Sequence, residues 1–482
     1  MSNEQVLSLT KRYVPAAFGV LMLAAALVSR FAVLSNDSFP LLWQARHLSL
    51  SDPASFYNGF FPIGYPLLMR FAEITQDPLT TLEIVQVVLA PIYLIVAMRF
   101  FARFLRPEVI FLGIVALVAY PDFLRCVLSA TPDFLASLAA LTAFYLIAKE
   151  HYGYAGVAFG CGLLFRAHIL GLFVTMVIAT LLLHKNGKFE IAGRMVLGAI
   201  PFILLQGMIQ VWSGHSFFES AQAFNVYRTM YGINWNTPPR FPISTLDIIA
   251  HDPFRFAAAY FVNLANGAIV LLPIAILLIL NRKHRQGLAL VTICFGVLLY
   301  VLVITAAFSP RALLPVWPSS VLAGMAILQS IEALFKPRML MLAGLVASAV
   351  IIVGVIVASY GSRERVNEYE KIGQVLHLNA AKDLHAIYTD DFAFYVPQFH
   401  DATARTTGTW GVVGLPEYSK DALELDWRSA ESLRSSMRNA GIQTAIIRVP
   451  PLNSNVAALI SSDTAHFPLI LKTRTHNTYR VK

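Results

Sequence analysis

Over its first 360 positions the chain repeats one pattern: an apolar run of roughly 15–24 residues, then a short polar or basic connection. Such runs have the length that carries an α-helix across a bilayer. The first is Val14 to Leu34, behind the polar start MSNEQVLSLTKR. It is long for a signal-peptide core and reads as an uncleaved anchor. Further runs cover 80–101, 107–121, 127–148, 153–166, 169–183, 191–212, 256–281, 287–307, 312–335 and 339–360. The pattern predicts a polytopic α-helical membrane protein with about eleven transmembrane helices. It divides the chain into a membrane part, 1–360, and a soluble C-terminal part, 361–482.

Composition agrees. The 482 residues are 57% hydrophobic and only 13% charged. A soluble domain is nearer half apolar and a quarter charged, so disordered, fibrous and ordinary soluble classes are excluded. Cys126, Cys161 and Cys294 are odd in number and lack metal-ligand spacing, so neither a disulfide framework nor a zinc site is expected. The net charge of +9 is informative only loop by loop. No nucleic-acid partner is expected.

The basic clusters decide how 153–183 folds. Two short helices broken near Arg166-Ala167-His168 place Lys11/Arg12, Arg99/Arg103/Arg106, Lys149, Lys185/Lys188, Arg282/Lys283/Arg285 and Lys336/Arg338 on one side. A single long helix separates them. The positive-inside rule therefore selects the pair and a cytoplasmic N-terminus. The long loops 35–79 and 213–255, the short turns near 122–126, 166–168 and 308–311, and everything from Gly361 then lie outside the cytoplasm.

That outer face holds the unusual chemistry. Asp37 stands just past the first span; capping a helix that starts near Phe39 is its plain structural role. Leu41, Leu42, Ala45 and Leu48, and then Leu67, Leu68 and Phe71, recur at helical spacing and predict short surface helices in the first outer loop. Between them lies FYNGFFPIGYP, with Phe56, Tyr57, Phe60, Phe61 and Tyr65 available for packing, sugar stacking or a lipid entrance. Asp122 and Asp133 flank Arg125; Asp133 opens an apolar helix, where the helix dipole alone favours a carboxylate. Ionisable groups at membrane depth are nonetheless functional candidates. Arg166 and Arg311 sit among apolar residues on the outer side. Each either snorkels to headgroups or faces a cavity and holds a phosphate, a task suited to a guanidinium fork. His215, His251 and Asp252 in the second long loop have no metal-site spacing.

From Gly361 the composition turns polar. SRERVNEYEK predicts a helical lead-out. HAIYTDDFAFYVP reads as one or two strands, QTAIIRVP as a buried strand and FPLILKTRTHNTYRV as two final strands, with WRSAESLRSSMRNAGI and NSNVAALISS as helices. Alternating strands and helices predict a small α/β sheet. No Gly-rich phosphate loop, GxSxG or HExxH stands in it, so it is expected to cap the outer face.

The order of these patches resembles the GT-C class of membrane glycosyltransferases, the superfamily of protein O-mannosyltransferases and lipid A aminoarabinose transferases. The patches are Asn36-Asp37 in an outer loop ending FPIGYP, SATPDF leading through GCGLLFRAH, SPRALLPVWP, and a closing α/β segment ending Tyr-Arg-Val. The resemblance implies a sugar taken from a polyprenyl-phosphate donor and placed on a glycan, lipid or protein acceptor at the outer face. It implies Asp37 as general base, Arg166 and Arg311 on the donor phosphate, Asp133, Asp122, Tyr65 and His168 as supporting residues, and inversion at the anomeric carbon. No cofactor follows from the residues, and the resemblance leaves room for a divalent metal. The implied setting is the bacterial inner membrane. A transporter or flippase of a lipid-linked substrate is the alternative. Polar groups or broken helices at the midplane would mark it, whereas the middles of 191–212, 256–281 and 339–360 are nearly free of charge.

Overall fold

The computed structural model describes residues 3–29, 37–57, 59, 61–75, 77–217, 226, 245–280, 287–307, 310–331, 337–379, 386–389, 405–407, 428–439, 441–449, 451, 454–474 and 476–482. Each apolar run is met by a helix, though of unequal length. In chain order these are α1 (Asn3–Val28), α4 (Pro78–Phe101), α5 (Pro107–Val118), α7 (Asp133–Ala148), α8 (Tyr152–Leu163), α9 (His168–Leu183), α10 (Lys188–Trp212), α13 (Ala268–Leu280), α14 (Leu288–Ile304), α15 (Trp317–Ser330) and α16 (Pro337–Asn379). Short helices sit between them: α2 (Ser38–His47) and α3 (Gly64–Ala72) in the first outer loop, α6 (Pro121–Leu128), α11 (Thr245–His251) and α12 (Pro253–Asn266).

Local sequence fixes many ends. Asp77 caps α4, its carboxylate accepting from Thr80 N–H at 3.1 Å with Pro78 in the first turn. Asp252 caps α12 in the same way through Arg255 N–H. The run expected at 153–183 is two helices, α8 and α9, joined at Arg166. The run at 256–281 is not one helix: α12 and α13 meet at 75° beside Gly267. The run at 127–148 is likewise interrupted, because Pro132 has no N–H to continue a helix and α7 starts only at Asp133.

Among the described residues, Pro78–Phe101, Lys188–Trp212 and Gly344–Gly361 are each long and apolar enough to cross a membrane, and two bent pairs raise the number to as many as five. Tyr13–Val28, Asp133–Ala148, His168–Leu183 and Leu288–Ile304 are apolar but shorter. Outward-facing Val88, Leu197, Ile279 and Val353 are exposed, as lipid-facing side chains are. The inner faces interlock tightly. A Cβ on Gly156 would meet Met195 O at 1.9 Å, and one on Gly198 would meet Gly153 O at 2.1 Å, so α8 and α10 touch through bare backbone. α7 runs through the core: Ser137 lies 3.1 Å from the Tyr93 hydroxyl and donates to Leu314 O.

The first outer loop is a packed layer. Leu41, Leu42 and Ala45 of α2 are buried, and α3 packs mainly through residues outside the Leu67, Leu68 and Phe71 set. Tyr65, Met69 and Ala72 face inward, and Phe71 is exposed. Bordering lipid, an exposed phenylalanine costs little, so apolar spacing alone does not tell the two faces apart. Ile372 of α16 and Ile446 join the same buried cluster.

The C-terminal strands β1 (Ala386–Thr389), β2 (Arg405–Thr407), β3 (Ile442–Arg448), β4 (Leu469–Lys472) and β5 (His476–Arg480) form a mixed sheet in the order β2-β1-β3-β5-β4. β1 is parallel to both neighbours, and β5 is antiparallel to β3 and β4. Helices α17 (Ala430–Asn439) and α18 (Ser454–Ser462) supply Leu433, Met437, Val456 and Ile460 to its core. Gly441, at φ +73°, takes the left-handed conformation that ends the segment after α17. The expected second strand after Thr389 lies outside the described residues, and β2 has no counterpart in the expectations.

Candidate active site

Four charged residues from remote parts of the chain meet beside the first outer loop. Arg166 Nη2 donates to Asp37 Oδ2 and to Asp133 Oδ2, both at 2.7 Å. Arg311 Nη1 donates to Asp37 Oδ2 at 2.9 Å and lies 3.6 Å from Asp133 Oδ2. The side chains grade in exposure from Asp133 (3%) through Arg166 (12%) and Asp37 (19%) to Arg311 (28%). Asp133 and Arg166 form the inner pair, while Asp37 and Arg311 form the outer, wetter pair.

This arrangement discards the plainer roles. Asp37 occupies the cap position of α2, yet its carboxylate caps no backbone N–H there and is turned to the two arginines. Neither arginine merely snorkels, because each is matched to carboxylates. Two positive and two negative side chains gather with no net charge, which is how ions tolerate burial. Burial alone would raise the Asp37 pKa, but Arg311 and Arg166 outweigh it and hold the carboxyl well below the ordinary carboxylate range.

The surrounding elements hold these groups in place. Arg166 sits in the α8–α9 turn with the buried Phe61 ring 5.8 Å from its guanidinium carbon. The FPIGYP segment is bound to that turn's root. Gly64 N–H donates to Leu164 O at 2.8 Å, and Ile63 N–H donates to Gln206 Oε1 at 3.2 Å. A Cβ on Gly64 would stand 2.5 Å from Leu164 O, so glycine is required for that approach. Arg166 Nε is buried and has no hydrogen-bond partner among the described residues.

The other candidates fall around this group. Tyr65 is fully buried, its hydroxyl accepting from Gln86 Nε2 at 2.9 Å; it is a packed core residue and offers no face to a sugar. Phe61 and Tyr57 are buried too, and Phe60 lies outside the described residues. His168 opens α9, with its ring 6.4 Å from that of Tyr300 and Nε2 buried with no hydrogen-bond partner among the described residues. Asp122 is half-buried in the first turn of α6. Tyr120, two residues earlier, stacks on Trp317 at 4.9 Å. His215 packs edge-on to Tyr57, and His251 is exposed. Sequence reasoning missed Ser38 and Gln86, whose buried side chains reach the turn ahead of Asp133; the signal for Gln86 was an amide inside an apolar run.

The quartet does not fit a divalent metal. The Oδ2 atoms of both carboxylates already accept from guanidinium nitrogens, and a cation at those oxygens would stand against two arginine charges. Among the described residues no three His, Cys, Asp or Glu side chains gather into a metal-holding group.

No protein-family model matches the chain, and no curated protein matches it. Among solved structures the chain is similar to ArnT from Cupriavidus metallidurans. The apo state aligns with a TM-score of 0.54 at 12% identity, over 96% of this chain and 98% of that one. The state bound to undecaprenyl phosphate aligns with a TM-score of 0.53 at 12% identity, over 96% and 97%. At that identity the likeness is one of fold, and it spans nearly the whole of both chains. The protein is an integral, multi-pass membrane protein with the fold of the GT-C membrane glycosyltransferases.

Proposed function

We propose that this protein moves a sugar from a polyprenyl-phosphate donor to a glycan, lipid or protein acceptor at the outer face of the bacterial inner membrane. In this reading residues 1–360 form eleven spans with a cytoplasmic N-terminus and carry the chemistry. Residues 361–482 form an extracytoplasmic α/β cap. The observation that carries the proposal is the Asp37–Arg166–Asp133–Arg311 quartet, assembled at the ends of apolar helices. The bound undecaprenyl phosphate of the similar ArnT structure supports a donor of that class.

The chemistry follows from placement. An isoprenoid tail stays in lipid while its sugar reaches water, so the reacting carbon belongs at the membrane border. Arg311, the most exposed of the four, and Arg166, whose Nε has no hydrogen-bond partner among the described residues, take the donor phosphate and stabilise the charge that grows on it. Drawing Arg311 towards phosphate releases Asp37 from one of the charges that depress its pKa, so donor binding readies the base. Asp37 then takes the proton from the acceptor hydroxyl. The acceptor oxygen bonds to the anomeric carbon from the face opposite the phosphate. The carbon–oxygen bond to phosphate breaks, and polyprenyl phosphate leaves with the electron pair. One displacement inverts the anomeric carbon.

The test is to incubate purified protein in liposomes with a panel of polyprenyl-phosphate sugars and follow release of the lipid phosphate. Consumption of one donor, with an inverted linkage in the product, is expected. Binding or movement of lipid-linked sugars without cleavage would replace this reading with transport.

A further inference from the structure

We infer that Ser38 and Gln86 are positioning residues that set the spacing of the two carboxylates, an assignment that rests on the transferase reading above. The turn Ser129–Pro132 precedes α7 and brings Asp133 to the site. Its carbonyls at 130 and 131 lie outside the helix and receive no helical N–H. Two buried side chains from different elements satisfy them instead. Ser38 Oγ, 0% exposed and next in sequence to Asp37, donates to Ala130 O at 2.9 Å. Gln86 of α4, 1% exposed, gives its Nε2 hydrogens to Thr131 O at 2.8 Å and to the Tyr65 hydroxyl at 2.9 Å.

A buried backbone carbonyl needs some donor, and a water or a local turn would meet that need. These donors do more, because each joins the Asp133 turn to the outer loop that carries Asp37. Ser38 ties it to the residue beside the base. Gln86 ties it to Tyr65 in the segment packed against the Arg166 turn. The Oδ2 atoms of Asp37 and Asp133 converge on the single Nη2 of Arg166, and like charges so held repel. That repulsion grows when donor phosphate draws the arginines away. A base free to recoil would lose its approach to the acceptor hydroxyl; the two tethers oppose that recoil from both sides. A buried amide in a largely apolar helix is costly, and Gln86 spends both of its hydrogens here, while its Oε1 is buried with no partner among the described residues.

The experiment compares Ser38→Ala, Ser38→Thr, Gln86→Leu and Asp37→Asn in liposomes, each checked for monodispersity and thermal unfolding. Displacing a reacting group by about 1 Å costs on the order of 100-fold in rate. Ser38→Ala and Gln86→Leu are expected to lower kcat by about 10- to 100-fold with donor KM within about twofold. The acidic limb of the rate profile is expected to move to higher pH as Asp37 sits less firmly on the arginines. Ser38→Thr, which keeps the hydroxyl, is expected to restore rate and profile. A merely structural role would change the unfolding temperature and the active fraction without moving the pH profile. If Ser38→Ala and Gln86→Leu fold and keep parental kcat and profile while Asp37→Asn is inactive, the tether assignment is overturned and the base assignment stands. If Asp37→Asn is itself fully active, the base assignment fails and takes the tethers with it.

Discussion

Asp37 and Arg311 lie 274 positions apart and meet at 2.9 Å, the outer pair of the charged quartet. One contributes the oxygen that would take a proton, the other the cation that would meet phosphate. Asparagine at position 37 keeps the shape and removes the basicity. Asp37→Asn is expected to lower transfer by at least about 100-fold, the usual worth of a general base, while membrane insertion and expression stay parental. Transfer at the parental rate would rule Asp37 out as the base.

Arg311 should act mainly on the donor. It is the most exposed of the four, and Arg166 remains on both carboxylates when it is gone. Losing a charged hydrogen bond of about 1.5–3 kcal/mol corresponds to roughly a 10- to 100-fold weaker hold on phosphate. Arg311→Ala is therefore expected to raise donor KM by that range, with Arg311→Lys between it and the parent because a point charge replaces a fork. An unaltered response to donor concentration would remove Arg311 from the phosphate site.

Much of this was legible in the sequence, for a physical reason. Hydropathy runs and basic loops are set by the bilayer, a solvent that imposes itself on every span, so the split of 153–183 at Arg166 could be read from charge alone. Arg166 and Arg311 stood out because the positive-inside reading assigns each to the side where it expects few basic residues. The convergence on Asp37 was implied only by the resemblance that gave these residues one site, since nothing local encodes a contact across 129 or 274 residues. Which face of α3 packs against the protein was not legible, because apolar residues line both of its sides. The 75° bend at Gly267 left the hydropathy run unbroken. β2, the short segment Arg-Thr-Thr, has no strand pattern of its own and exists through parallel pairing with β1.

The quartet also makes a statement about stability and pH. Asp37 has a folded-state pKa lowered well below its unfolded value of about 3.9. A lowered carboxyl contributes stability that is fully present above the unfolded pKa and is lost as pH falls through the folded one. The difference in unfolding temperature between parent and Asp37→Asn is thus expected to be constant from about pH 5 to 8 and to shrink below about pH 4. A difference that instead fades between pH 5 and 8 would mean that Asp37 is not held by the arginines in solution.

Gly64 tests the link between the outer loop and the Arg166 turn. Its missing Cβ would stand 2.5 Å from the carbonyl oxygen of Leu164, two residues before Arg166, and a backbone carbonyl cannot swing aside as a side-chain tip can. Gly64→Ala is expected to destabilise by about 1–3 kcal/mol, the usual cost of overpacking, and to reduce turnover together with it. An alanine variant with parental unfolding temperature and rate would show that the loop does not bear on that turn.

The packing of α8 on α10 carries the same dependence deeper into the bundle. Gly198 lets α10 approach until a Cβ there would lie 2.1 Å from Gly153 O and 2.9 Å from Val157 N, both backbone atoms of α8. Alanine at 198 must push α8 outward, and α8 leads directly into the turn that holds Arg166. Gly193 stands on the same helix with nothing within 4 Å of its Cβ position, so it isolates helix propensity from packing. Gly193→Ala is expected to be neutral or stabilising by up to about 1 kcal/mol. Gly198→Ala is expected to lower the unfolding temperature and to weaken donor binding through the displaced guanidinium. The pair is measured by thermal unfolding in one detergent and by donor titration. If Gly198→Ala matches Gly193→Ala on both counts, α8 and α10 do not touch through backbone, and the position of Arg166 depends on something other than their contact.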